Sequence, residues 1–180
     1  MINNDYIVNQ VESLVKRYGT RNPFILCQEL GINIRFKELG TEIKAYFFYQ
    51  SRIKTIVINQ RTTLSARRIL CAHELGHGIL HKKLAAMRGF HELELFDCLN
   101  TTEYEANLFA AELLIDDNEL LELLNNSEKS FFGVAKELYI PAELLDFKFR
   151  VLKSKGFRIE TPYISQANFL KNDLPECFDS

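Results

Sequence analysis

His73-Glu74-Leu75-Gly76-His77 sets the narrowest limit on what this chain can fold into. The pattern reads H-E-x-x-H, and its chemistry needs an α-helix, where residues i and i+4 share one face about one turn apart. Two imidazoles so placed can hold one Zn²⁺ from the same side. Glu74, beside them, can accept a proton from a water that the ion activates. Thr62 or Thr63 can cap this helix, which should run to about Lys83. Ile69, Leu70, Ala72, Leu75, Gly76, Ile79 and Leu80 make it apolar over much of its surface, so it should lie centrally. Gly76 and Gly78 each cost about 1 kcal/mol relative to Ala inside a helix. Two such costs beside the motif predict that another backbone packs closely there.

The rest of the composition narrows the setting of that helix. The chain has 180 residues, enough for one domain or one with a small appendage, and 47% of them are hydrophobic. A net charge of −2 supplies no overall pull toward nucleic acid or an anionic membrane. No apolar run approaches a membrane span, and Met1-Ile2-Asn3-Asn4-Asp5 lacks the basic and apolar regions of a signal peptide. The expected location is the cytoplasm. Cys27, Cys71, Cys98 and Cys177 form no C-x-x-C pair and fit reduced thiols. Cys71 falls about 200° from His73 on the helix and is expected to pack in the core.

Periodicity predicts helices over Asn4 to Tyr18 and Pro23 to Leu30, ended by Gly19 and Gly31. Gly31 to Phe36, Ile43 to Tyr49 and Ile53 to Ile58 read as strands, the last two joined by a hairpin at Gln50-Ser51-Arg52. Met87 to Asn100 reads as a loop, and Thr101-Thr102-Glu103-Tyr104-Glu105 as the capped start of a further helix. Asp117 to Leu124 reads as a short helix. Ser130 to Leu152 reads as two helices split around Ile140-Pro141, and from Gly156 onward the pattern is polar and aperiodic. The expected fold is α+β: a mainly helical zincin-like domain with a small antiparallel sheet packed on the H-E-x-x-H helix. Residues 1–125 form the metallopeptidase core, 126–155 a helix-turn-helix-like segment packed on it, and 156–180 an irregular tail.

A catalytic zinc site needs a third protein ligand. A histidine six residues after His77 would suit one arrangement, but Lys83 stands there. His81 lies about 80° round from His73 and reaches in only from the side. The remaining arrangement is a carboxylate on a second helix, and Glu103 or Glu105 is the candidate. They fall on different faces, so only one can meet the metal. The helical wheel puts Glu103 nearer the apolar stripe and Glu105 at its edge, and does not choose between them.

His73-Glu74-x-x-His77 followed by Glu105-Ala106-Asn107-x-Phe109-Ala110-Ala111-x-Leu113-Leu114 resembles the ImmA/IrrE zinc metallopeptidases. A strand ending in Ile58-Asn59 and an arginine at Arg67 or Arg68 are similar to that family's layout, and the likeness spans about Asn4 to Arg150. The family's second motif usually ends in Leu-x-Pro, whereas Ile115 is followed here by Asp116. The resemblance implies Zn²⁺ as cofactor, His73, His77 and Glu105 as its ligands, and Glu74 as the catalytic base. It also implies a protein substrate, a helix-turn-helix transcriptional repressor of a phage or mobile element. Tyr46, Tyr49, Tyr104 and His91 are candidates for steadying the oxyanion, and Lys44 to Tyr49 could offer a strand edge to an extended peptide.

Two other readings compete. One is a zinc-containing module that binds the repressor without cutting it. The other is a DNA-binding or antitoxin-like module built on Phe131 to Leu152. From Glu128 to Arg158 there are 7 Lys or Arg against 4 Asp or Glu, a local +3. That is thin for phosphate binding, where about six or more contacts are common.

Overall fold

The computed structural model describes residues 3–81, 96–126, 130–160 and 170. Helix α1 (Asn4–Tyr18) starts where the Asn3 side chain accepts from the Asp5 N–H and stops at Gly19, whose φ of 66° closes the last turn onto the Val15 carbonyl. Helix α2 (Pro23–Glu29) is capped by Asn22 and opened by Pro23, whose missing N–H has no helical partner to lose. Strands β1 (Ile32–Lys37), β2 (Ala45–Gln50) and β3 (Ile53–Asn59) form one sheet in the order β1-β3-β2.

The sheet is mixed, which corrects the expected antiparallel one. β2 runs antiparallel to β3, but β1 runs parallel to it. The loop of residues 38–44 carries the chain across the end of β3 and lays β2 on its far side. Asn59, buried at that end of β3, fastens the crossing by donating from Nδ2 to the carbonyls of Gly40 (2.8 Å) and Ile43 (3.0 Å). Alternation of side chains reports which residues are strands but not which edge each strand takes. β2 and β3 meet in a two-residue turn, with Ser51 and Arg52 at φ of 51° and 66°. Such primed turns match the twist of the flanking strands.

Helix α3 (Leu64–Leu80) is capped by the Thr63 hydroxyl, which accepts from the Ala66 N–H. It is followed by α4 (Phe96–Leu114), α5 (Asp117–Asn126), α6 (Phe131–Glu137) and α7 (Ala142–Ser154). Helix α4 starts at Phe96, inside the stretch read as a loop, so Thr101 and Thr102 lie within the helix. Nothing between Phe96 and Thr101 breaks a helix, and the capping residues marked a start that is not used. The rest of the expected loop, residues 87–95, lies outside the described residues.

The two glycines of α3 show what surrounds it. A Cβ on Gly76 would stand 3.2 Å from Phe109 Cβ and 3.3 Å from Ala106 Cα, so the α4 backbone does pass close by. A Cβ on Gly78 would stand 2.9 Å from the Phe47 ring of β2. These positions are about 200° apart on the helix, so α3 lies between α4 and the sheet. Cys27 and Cys71 pack beside each other in this core as free thiols, their sulfurs 3.9 Å apart. Their mutual hydrogen bond and their burial push the Cys71 pKa up and keep it protonated. Among the described residues, no helix is long and apolar enough to cross a membrane.

The last helices close the same core. Leu144, Leu145, Phe147, Phe149, Val151 and Leu152 of α7 are all buried. So is Lys148, at 0% exposure, which donates to Glu112 Oε2 at 2.6 Å and also meets Asp117. Lys155 donates to Glu112 Oε1 (2.7 Å) and Asp117 Oδ2 (2.6 Å). Two cations and two anions thus tie α4, α5 and α7 together. Burial disfavours a charged Asp117, but hydrogen bonds from Lys148 and Lys155 outweigh it and lower its pKa. Burial likewise opposes a charged Lys155, and its carboxylate partners raise its pKa despite that.

A lowered carboxyl pKa gives stability that is full above the unfolded value of about 3.9 and is lost as pH falls through the folded one. A raised lysine pKa gives stability that is full below about 10.4 and is lost as pH rises through the folded one. The cluster therefore holds through the neutral range. Lys148→Ala, which strands Glu112 and Asp117 with half their partners, should lower unfolding free energy at pH 7 by about 3–5 kcal/mol in urea titrations. Lys148→Met combined with Glu112→Leu should recover much of that loss, because both partners of the buried pair go together.

Candidate metal centre

Helix α3 turns His73 and His77 toward α4, and α4 brings Glu103 to meet them. His73 Nε2 lies 3.1 Å from His77 Nε2. Glu103 reaches both, Oε2 at 3.3 Å from His73 Nε2 and Oε1 at 3.3 Å from His77 Nε2. The three side chains form a candidate metal-binding group with ligand atoms within 4.8 Å of one another. Donors about 2.0–2.1 Å from a tetrahedral Zn²⁺ stand about 3.3 Å apart. The triangle observed here has that size, and two imidazoles with one carboxylate are a donor set that Zn²⁺ accepts.

The ring of His73 is held from behind. Its Nδ1 lies 2.8 Å from Asn107 Oδ1, and Asn107 is fully buried. An amide oxygen there accepts the Nδ1 proton and leaves the Nε2 lone pair facing the triangle. Burial works against charge on His73, but its hydrogen bond with Glu103 and the nearby charge of Glu74 outweigh that and raise its pKa. Burial also favours a neutral Glu103, yet contacts with both imidazoles hold its carboxyl well below the usual range. Glu103 is thus an anion between two rings, the position a divalent cation would share.

Glu105 does not join this group, contrary to the expectation that it would be the third ligand. It lies at 2% exposure with Oε2 2.9 Å from His81 Nε2. The reason is the face of α4 that meets α3. Ala106 and Phe109 pack on Gly76 and set the middle of the contact. Glu103 and Asn107, about 40° apart on the wheel, flank it on the side of His73 and His77. Glu105 flanks it on the other side. The stripe has two polar edges, and weighing each glutamate singly could not tell which edge opens on His73 and His77. The overlooked signal is the pair Glu103-x-x-x-Asn107, a carboxylate to hold the ion and an amide one turn on to hold the ligand ring.

Glu74 is buried at 7% exposure and lines a cleft of about 260 Å³ together with His73, His77 and Glu103. The opposite wall is the chain entering β2, from Glu42 to Tyr46, and Leu70 and Leu170 complete the lining. β2 is an edge strand. Of the tyrosines considered for the oxyanion, Tyr46 lines this cleft. Tyr104 instead packs its ring on Phe147 at 5.5 Å, with Arg150 over it. Tyr49 sits near the exposed end of β2, and His91 lies outside the described residues.

The chain is similar to known proteins over most of its length. Residues 27–150 match the family Peptidase_M78, described as an IrrE N-terminal-like domain. The chain is 37% identical over 138 residues to an uncharacterized immunity region protein 2 of Bacillus phage phi105, covering 77% of this chain and 85% of the relative. It is 28% identical over 162 residues to the metallopeptidase ImmA of Bacillus subtilis (strain 168), covering 88% of this chain and 93% of the relative.

The geometry sets an expectation for the two helices. Gly76→Ala should push α4 outward by a few tenths of an ångström and part Glu103 from the histidines. Glu103→Ala should remove one vertex of the triangle outright. Elemental analysis of the purified proteins should find metal in the wild type, less in Gly76→Ala and none in Glu103→Ala. Full metal content in Glu103→Ala would show that the third donor lies elsewhere.

Proposed function

The chain belongs to the Peptidase_M78 family of IrrE N-terminal-like domains, and from that premise we propose that it is a zinc-dependent metalloendopeptidase acting on a helix-turn-helix transcriptional repressor of a phage or mobile element. The observation that carries the metal is the triangle of His73 Nε2, His77 Nε2 and the Glu103 carboxylate. When bound, Zn²⁺ would polarise a peptide carbonyl and bring the pKa of water down to about 7.

The remaining chemistry falls to side chains of this protein. Glu74 faces the cleft next to both histidines. Its carboxylate is placed to take a proton from the attacking water and to hand it to the leaving peptide nitrogen. The cleft is lined by Lys44, just before edge strand β2, and by Ala45 and Tyr46 within it. An extended peptide can pair with that edge, which would lay it along the cleft beside His73, His77 and Glu103 and draw register from the backbone. A protein substrate is also the reading favoured by the relatives, one named a metallopeptidase and the other an immunity region protein.

The competing readings have less support. A recognition helix needs an open polar face, but α7 buries Leu144, Leu145, Asp146, Phe147, Lys148 and Phe149 consecutively. A zinc scaffold without turnover has no need for a carboxylate at Glu74, buried in the cleft beside the donors.

Incubation with the regulator encoded beside this protein tests the proposal. Wild type should cleave it, and a chelator should stop the reaction. Glu74→Gln should keep its metal and cut about 10²–10⁴-fold more slowly. Cleavage unchanged by that substitution would overturn the assignment. Pro placed at β2 positions whose N–H points away from β3 should raise KM with kcat little altered, and an unchanged KM would remove the strand-pairing mode.

A further inference from the structure

His81 and Glu105 are buried, His81 against the candidate metal centre and Glu105 against His81, and neither has a part in the reaction above. His77 turns Nε2 toward His73 and Glu103, so Nδ1 is the nitrogen left over. That Nδ1 lies 3.1 Å from His81 Nδ1, and His81 Nε2 lies 2.9 Å from Glu105 Oε2. We propose that His81 and Glu105 are positioning residues for His77, a support outside the ligand set that fixes its tautomer and aims its Nε2 at the metal. The proposal rests on His77 being a metal ligand.

One requirement assigns every proton along this chain. A ligating imidazole is neutral and presents a lone pair, so with Nε2 committed to the ion the His77 proton sits on Nδ1. There it donates to His81 Nδ1, which must then be an acceptor. The His81 proton is therefore on Nε2, where it donates to the Glu105 carboxylate. Along the path from His77 to Glu105 each ring nitrogen then has one role. The helix end reinforces the arrangement. His81 is the C-cap of α3, and its backbone N–H donates to the His77 carbonyl at 3.0 Å, so His81 grips both the ring and the main chain of His77.

The two ligand histidines are consequently backed in different ways. Behind His73 stands the neutral amide of Asn107, and behind His77 an imidazole backed by a buried carboxylate. A carboxylate at the end of such a chain raises the electron density of the ligand nitrogen, and losing a support of this kind typically weakens metal binding by about 10- to 100-fold. A merely structural pair would stabilise the fold and leave the metal affinity of the folded protein unchanged.

The test measures the Zn²⁺ dissociation constant by competition with a chromophoric chelator, alongside the thermal stability of each metal-free variant. Glu105→Gln keeps an oxygen to accept from His81 and removes only the charge. His81→Phe keeps the bulk and removes the acceptor for His77, and His81→Asn returns an acceptor near the same place. Weakening by about 10- to 100-fold in His81→Phe, a smaller loss in Glu105→Gln and partial recovery in His81→Asn would support the proposal. Wild-type affinity in folded Glu105→Gln and His81→Phe would overturn it. Should His81→Phe fail to fold, Glu105→Gln decides alone, since it is close to isosteric. His77→Ala separates the two levels: wild-type affinity in that variant would overturn the ligand assignment itself, and the support with it.

Discussion

The distance between α3 and α4 governs the whole centre. His73 and His77 ride on one helix and Glu103 on the other, so no local folding of either can assemble the three side chains. They meet because Gly76 lets Phe109 and Ala106 come within van der Waals reach of the α3 backbone. Glycine is a poor helix former, and its place here is explained by what touches it and not by any turn or bend. Gly78 does the same for the sheet, giving Phe47 room against the opposite side of the helix. A helix thinned on two sides is what allows Glu103 of α4 and the start of β2 to converge on one cleft.

Most of the scaffold could be read from the chain because its signals are local. Asn3, Gly19, Asn22 and Thr63 mark helix ends by chemistry that involves only their neighbours. The H-E-x-x-H spacing is equally local, and both imidazoles do turn to one side. The strands were legible too, but the pairing of β1 with β3 was not, since it depends on where a loop crosses and on the grip of Asn59. Whether Glu103 or Glu105 lies beside the histidines was left open by the helical wheel for a similar reason. It depends on which edge of α4 opens on the cleft, a relation between two helices 26 positions apart in sequence (His77 to Glu103). The family likeness pointed to this segment, and the geometry sets Glu103 beside His73 and His77 and Glu105 beside His81.

Burial around the centre is unusual in its polarity. His73, Glu74, His81, Glu105 and Asn107 are all buried. Groups of this kind destabilise a core unless they have partners. Here rings, amide and carboxylates face each other at hydrogen-bond distances. The same interior holds the Lys148–Glu112–Asp117–Lys155 cluster across α4, where ion pairing serves cohesion and not chemistry. Helix α4 thus carries two polar networks, one near Glu103 and one near Glu112. A hydrophobic stretch from Ala106 to Ala111 separates them, interrupted by Asn107.

The grip of Asn59 on the crossing loop is made entirely to peptide carbonyls, those of Gly40 and Ile43. No side chain of the loop takes part in these two bonds, although Glu42, Ile43 and Lys44 form the mouth of the cleft. Such an attachment holds the contour of the mouth while leaving its chemistry free to drift. Side chains at that rim can accordingly be exchanged without touching the two bonds that fix the path of the loop.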